Sequence, residues 1–283
     1  MNRRTLVKRT VGALSAAGAG CFGYAVGIEP HWLEIVSREL PIDRLPVALR
    51  GARLAQVSDL HIGPWVSDAY VVESFDRLRA LKPDIVVVTG DFLTYRPARG
   101  DGQFDQLGDV LATLPHGRLA TFGILGNHDY GVGWREAAVA DRVASVAERS
   151  GIHMLRNAVK AVEGLDVIGV DDLWARRAAP VAALAARTND AAIVLVHNPD
   201  TADKLPWPGY RGWMLAGHTH GGQCRAPFLP PPLLPVENRR YVAGEVAVDR
   251  ERKLYISRGV GHLIRARFNV RPEITLFTLR EAV

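Results

Sequence analysis

Hydrophobic and polar positions change period along the chain, and each change predicts an element. Val11–Ile28 carries no charge and is rich in Ala and Gly. From Glu29 to Arg50 the alternation is weak and broken by Pro30, Pro41 and Pro46, which predicts an extended linker with an edge strand around Leu33–Arg38. A firmer rhythm follows. Arg53–Ser58 is a short apolar run, and Asp68–Leu81 sets Val71, Val72, Phe75, Leu78 and Leu81 at helical spacing. Asp84–Thr89 is nearly all β-branched, as in a strand buried on both faces. Leu119–Leu125 predicts another strand and Arg135–Arg149 another helix. Strands are then expected near Ile152–Leu155, Val159–Val162 and Asp166–Val170, a short helix at Val181–Arg187, and strands at Ala191–Val196 and Gly212–Ala216. Pro227–Pro235 reads as an irregular loop; Tyr241–Val248, Lys253–Ser257 and Glu273–Leu279 complete the strand set. Alternating strand and helix giving way to mostly strand argues for an α/β fold with two sheets face to face and helices outside.

Composition narrows this little, since 48% hydrophobic and 23% charged residues are ordinary globular values. Charge changes the picture more. The net +5 comes mostly from Arg3, Arg4, Lys8 and Arg9; beyond residue 28 there are 31 basic against 30 acidic residues. Bulk positive charge for a nucleic-acid backbone is therefore missing. Two cysteines, Cys21 and Cys224, exclude a disulfide framework. The basic start and uncharged run of residues 1–28 read as an export signal or membrane anchor. Arg3-Arg4 with Leu6 and Lys8 beyond resembles a twin-arginine signal, which a receptor reads.

Five short sequences each follow a predicted strand: Asp59-Leu60-His61, Gly90-Asp91, Gly126-Asn127-His128-Asp129, His197-Asn198 and Gly217-His218-Thr219-His220-Gly221-Gly222. They hold five of the nine histidines, and in α/β folds ligands bind beyond the carboxyl ends of strands. Asp59, His61, Asp91, Asn127, His197, His218 and His220 offer carboxylate, amide and imidazole donors without thiolate, a set suited to divalent Mn, Fe or Zn. Side chains at i and i+2 of a strand share a face, which would aim both members of Asp-x-His and of His-x-His the same way. Seven donors exceed the needs of one open ion, so two metals with Asp91 between them is the economical count. Such a pair, about 3.5–4 Å apart, clamps a phosphoryl group and acidifies a water. His128 is the spare imidazole, available to protonate a departing alkoxide. The glycines at Gly90, Gly126 and Gly217 would let the chain turn off each strand.

In this order the five sequences resemble the motifs of the calcineurin-like metallophosphoesterases. Gln56–Gly63 and Gly217–Gln223 are similar to that superfamily's exported or membrane-associated phosphodiesterase branch, which includes the UDP-2,3-diacylglucosamine hydrolases of lipid A synthesis. The resemblance spans Gly51 to about Leu279 and implies a four-layer αββα sandwich over 51–283, after the linker and edge strand of 29–50. It implies Asp59, His61 and His220 on one ion, Asn127, His197 and His218 on the other, and Asp91 shared. Many members carry an acid three residues after the bridging Asp to steer the catalytic His; here Thr94 stands there, leaving Asp59 or Asp129 as candidates for that role.

The implied activity is two-metal hydrolysis of a phosphodiester or pyrophosphate, with manganese among the candidate ions. The apolar Pro227–Pro235 loop beside the last motif favours a lipid-linked substrate, and the N-terminus favours membrane contact. A UDP-2,3-diacylglucosamine diphosphatase is the alternative; it requires a cytoplasm-facing anchor, because that lipid is made on the cytoplasmic face, whereas twin-arginine export places the domain in the envelope. A non-catalytic interaction module on the same fold is the alternative of another class. His262 and Arg265 are candidate substrate contacts, Arg267 reads as a solvated surface residue, and His31, His116 and His153 read as surface or core histidines.

Overall fold

Val86 and Val88 of the β-branched run face one hydrophobic cluster while Ile85 and Val87 face another, so this strand is buried on both sides, as its composition predicts. The computed structural model describes residues 3–282; Met1, Asn2 and Val283, the ends of segments 1–28 and 51–283, lie outside the described residues. Among the described residues, twelve strands form two six-stranded mixed sheets. In the first sheet β1 (Glu34–Ile42), β12 (Glu273–Glu281), β2 (Arg53–Val57), β3 (Ile85–Thr89), β4 (Ala120–Ile124) and β5 (His153–Met154) lie in that order. In the second the order is β10 (Gly244–Ala247), β11 (Arg252–Ile256), β9 (Gly212–Ala216), β8 (Ala192–Leu195), β7 (Leu165–Gly169) and β6 (Ala158–Val162). The edge strand expected near Leu33–Arg38 is β1, which runs parallel to β12 over nine residues.

Leu54, Phe122, Leu195, Trp213 and Phe277 belong to the core between the sheets. The outer face of the first sheet is covered by α2 (Asp68–Ala80), α3 (Gly102–Leu111) and α4 (Ala137–Arg149), and that of the second by α5 (Pro180–Ala185) and the single turn α6 (Thr201–Lys204). These are the four expected layers. The hydrophobic pattern predicts no element between Thr94 and Leu119, yet α3 lies in that stretch; Phe104, Leu107, Val110 and Leu111 are on its buried face, diluted by Gly102 and Gly108. Ahead of the sandwich, α1 (Arg3–Gly27) is long and apolar enough to cross a membrane by length and composition.

Strands β2, β3 and β4 are parallel, as are β8 and β9, so all five motifs emerge at one rim. Gln56 crosses between the sheets there, its amide donating to Thr89 Oγ1 (3.0 Å) and the Ala216 carbonyl (2.9 Å). The loop entering β8 is fixed by Asp166, whose buried carboxylate accepts from the backbone and side chains of Thr188 and Asn189. Burial pushes its pKa up, but these bonds outweigh it and hold the carboxyl below its ordinary value.

A carboxyl depressed in the folded state stabilises above its unfolded pKa, and that contribution fades as pH falls through the folded pKa. Asp166→Asn should therefore lower stability by about 1–3 kcal/mol at pH 7. In denaturant titrations the gap to the parent should narrow below about pH 4.

Candidate metal centre

After β2, β3 and β9 the chain leaves extended geometry at the motifs themselves. Asp59, His61, Asp91, His218 and His220 have φ of 53°, 49°, 55°, 71° and 49°, a left-handed backbone that costs an L-residue about 1–2 kcal/mol. Such strain persists where surrounding bonds over-determine it, and it clusters at functional sites. Here the turns are tied to one another: Asp59 N donates to Gly90 O, His61 N to Asp91 O, and Gly217 N to His197 O, at 3.0–3.1 Å. Strand alternation is thus not what aims the pairs. His218 and His220 end up in different clusters.

The glycines divide in role. Gly90, at φ 91°, makes the expected turn. Gly126 and Gly217 serve close approach instead: a methyl on Gly126 would overlap the Asp91 carboxylate, and one on Gly217 would overlap Ser58 and Asp59.

Two buried clusters result, Asp59 with His61 and His220, and Asp91 with His197 and His218; in each, the potential ligand atoms lie within 4.8 Å of one another. Asp91 Oδ2 joins them, 3.5 Å from His61 Nε2 and 3.2 Å from His197 Nε2. His61 Nε2 faces His220 Nε2 at 3.0 Å, and His218 Nδ1 faces His197 Nε2 at 3.3 Å. The outer nitrogens explain this. His197 Nδ1 lies 2.8 Å from the Thr89 carbonyl and His218 Nε2 2.8 Å from the Pro235 carbonyl. A carbonyl can only accept, so these outer nitrogens carry hydrogens and the inner ones are left as the nitrogens able to ligate. His61 Nδ1 meets Thr94 Oγ1 at 3.1 Å.

Electrostatics favour the ligating forms of His61, His218, His220 and Asp91. Burial holds His61 and His220 well below the usual histidine range, the neighbouring imidazole and Arg267 adding to it for His220, and pushes His218 down to about 3. Asp91 is held well below the carboxylate range: burial opposes this, but His197, His128 and His61 outweigh it. His197 and Asp59 go the other way: burial lowers His197 but Asp91, Asp59 and Asp172 push it up to about 10, and burial pushes Asp59 up to about 6, so each binds more tightly a proton that a cation would displace. Imidazole nitrogens and carboxylate oxygens converging in this way suit cations between them. Asn127 adds to the case, since it is fully buried and neither its Oδ1 nor its Nδ2 has a partner. The donor set fits divalent cations of borderline softness.

Other expected residues fall differently. Half-buried His128 stands beside the cluster, 5.1 Å ring to ring from His61, and its amide donates to Asp91 Oδ1 at 2.9 Å. Its ring makes no hydrogen bond among the described residues. Neither suggested carboxylate steers it: Asp129 accepts from Gly126 N and Leu93 N, and Asp59 from His218 N. Thr94, standing where an acid was expected, faces His61 instead. His262 has no exposed surface and meets the Trp65 carbonyl at 3.1 Å, a buried brace instead of a cleft lining; Arg265 is exposed. Arg267 corrects the sequence reading outright. It is fully buried, donates to the carbonyls of Arg258, Gly259, Gly261 and Val270, and lies 3.4 Å from His220 Nδ1. Trp134 and Trp174, unmarked in the sequence, stack at 4.6 Å and wall the rim, Trp174 against His218 at 4.4 Å and Trp134 against His128 at 6.3 Å. Their signal was one Trp in each loop leaving a site strand or its neighbour.

Two linked carboxylate–imidazole clusters at the strand-end rim of a two-sheet sandwich define a binuclear metallohydrolase. Residues 52–222 match the model of the calcineurin-like phosphoesterase family, and the chain belongs to that family; it is a phosphoester hydrolase dependent on two divalent metal ions. It is 32% identical to phosphodiesterase YaeI of Escherichia coli, covering 99% of both chains. It is 31% identical to the uncharacterized metallophosphoesterase YkuE of Bacillus subtilis, covering 99% of this chain and 98% of that one. UDP-2,3-diacylglucosamine pyrophosphatase LpxG of Chlamydia muridarum is 25% identical over 93% of this chain and 94% of its own.

If the Thr94 hydroxyl orients His61, Thr94→Val should weaken divalent-metal binding about 10–100-fold while Thr94→Ser retains it. Competition with a fluorescent chelator, with circular dichroism to verify folding, measures both.

Proposed function

We propose that this chain hydrolyses a phosphodiester or pyrophosphate bond in a lipid-linked substrate of the cell envelope, held at the membrane by α1. The convergence of imidazole nitrogens and carboxylates in two linked buried clusters carries the hydrolytic reading. Asp59, His61 and His220 would hold one ion, Asn127, His197 and His218 the other, and Asp91 both. Two bound divalent ions supply Lewis acidity to the phosphoryl oxygens and acidify a water for in-line attack.

The protein's own groups do the rest. The carbonyls of Thr89 and Pro235 keep hydrogens of His197 and His218 on the outer nitrogens, leaving the inner ones able to ligate. Asp91, ionised, draws charge between the clusters and fixes the turn of His128 through its amide. A ring nitrogen of half-buried His128 gives its proton to the departing oxygen. The Trp134–Trp174 wall keeps bulk water off that face, and exposed Arg265 would meet an anionic group of the substrate.

A lipid-linked substrate is supported by the apolar residues beside the cluster and by similarity to LpxG, which also supports UDP-2,3-diacylglucosamine as the second reading. Retention at the membrane is supported by α1; the twin-arginine-like Arg3-Arg4 supports export to the envelope. Manganese suits the mixed nitrogen and oxygen donors.

Asp91→Asn and His128→Ala should each reduce hydrolysis of bis(p-nitrophenyl) phosphate, by at least about 100-fold for His128→Ala, with folding intact. Full activity in Asp91→Asn would remove the bridging role. Loss of activity on dialysis against EDTA, restored by Mn²⁺, checks the metal requirement.

A further inference from the structure

The described part of α1 stands clear of the sandwich except at its carboxyl end. There Arg267 N donates to the Ala25 carbonyl at 2.8 Å, and Tyr24 packs edge-on against Phe268 at 6.3 Å. Just beyond, Glu29 is fully buried and accepts from the amides of Asn269 (2.9 Å) and Val270 (2.5 Å). The helix therefore leaves the domain from the segment 267–270.

That segment is zipped to the proline-rich loop. Phe268 N donates to Gln223 O and Arg225 N to Phe268 O, while the Gln223 side chain bonds Leu263, Ile264 and Ala266. From this paired-loop platform Phe228, Leu229, Leu233 and Ile264 project at 102%, 60%, 72% and 63% exposure. Four large apolar side chains on one platform exceed the scattered exposure of an ordinary surface and mark an interaction site. Arg225 and Arg265, both exposed, flank them. Beneath lies an apolar cavity of about 190 Å³, walled by Pro232, Leu233, Leu263 and Ile264, with His218 and His220 along its side.

The occupant follows from position. A helix apolar enough to span a bilayer emerges beside the platform, so the surface that receives α1 also meets these side chains. Exposed apolar tips flanked by arginines suit the interface of an anionic membrane. We propose that the loop pair 223–236 and 263–268 lies in the interfacial layer of the bilayer that holds α1. The cavity then opens onto acyl chains, and substrate reaches the histidines from the plane of the membrane. This rests on α1 being a retained anchor, as the proposed function has it.

The test uses the full chain reconstituted into vesicles of phosphatidylcholine and phosphatidylglycerol. Phe228→Trp is compared with the parent, so that the six native tryptophans cancel. Expected are flotation with the vesicles, a blue-shifted difference emission, and at least about twofold quenching when the lipids carry brominated acyl chains. Flotation with a water-like, unquenched difference spectrum overturns the docking while leaving the anchor in place. Failure to float overturns the docking together with the anchor. Hydrolysis of bis(p-nitrophenyl) phosphate by the same samples reports separately on the hydrolase itself. It should be unchanged in Phe228→Ser/Leu229→Ser, which should lose the vesicle contact without touching the metal centre.

Discussion

The structure turns on two pairs of imidazole nitrogens aimed at each other, 3.0 and 3.3 Å apart, inside a shell of buried carboxylates. In water such groups would hydrate separately and drift apart. Here backbone carbonyls fix two of the rings from outside, and burial disfavours protonating His61, His218 and His220. What remains is a concentrated set of nitrogen and oxygen donors in which a pair of cations would take the place of protons. The left-handed turns, the close approach at Gly126 and Gly217, and the splicing of one turn onto the next all hold that arrangement in place.

Much of this was legible in the sequence, for identifiable reasons. Apolar runs with strand-end punctuation located the strands because both faces of each sheet are covered, so composition alone betrays burial. The six clustered carboxylates and imidazoles, with buried Asn127, were legible because Asp, Asn and His directly after strands have few structural uses. Helix α3 escaped because two glycines dilute a sound spacing of Phe104, Leu107 and Leu111. The aim of the donors was beyond the pattern: strand alternation predicts a shared face for His218 and His220, whereas the backbone at both is left-handed and splits them. Partners that act through carbonyls, such as Thr89 and Pro235, leave no trace in residue identity. Arg267 was hidden for a related reason, since an arginine among surface residues reads as solvated until its carbonyl partners are seen.

Pro235 links two parts of the molecule that the sequence presents separately. Its carbonyl orients His218, while the residues just before it form the exposed apolar platform beside α1. Arg267 makes a second link, its amide bonded to Ala25 and its guanidinium beside His220. The membrane-proximal surface and the metal centre are therefore braced by the same two loops, and a substrate lodged in the apolar cavity would touch both.

The central claim is that seven side chains assemble one binuclear centre. Anomalous diffraction from Mn²⁺-loaded crystals tests it most directly. Two peaks about 3.5–4 Å apart, one beside Asp59, His61 and His220, the other beside Asn127, His197 and His218, with Asp91 touching both, are the predicted result. A single peak, or peaks away from Asp91, would contradict it.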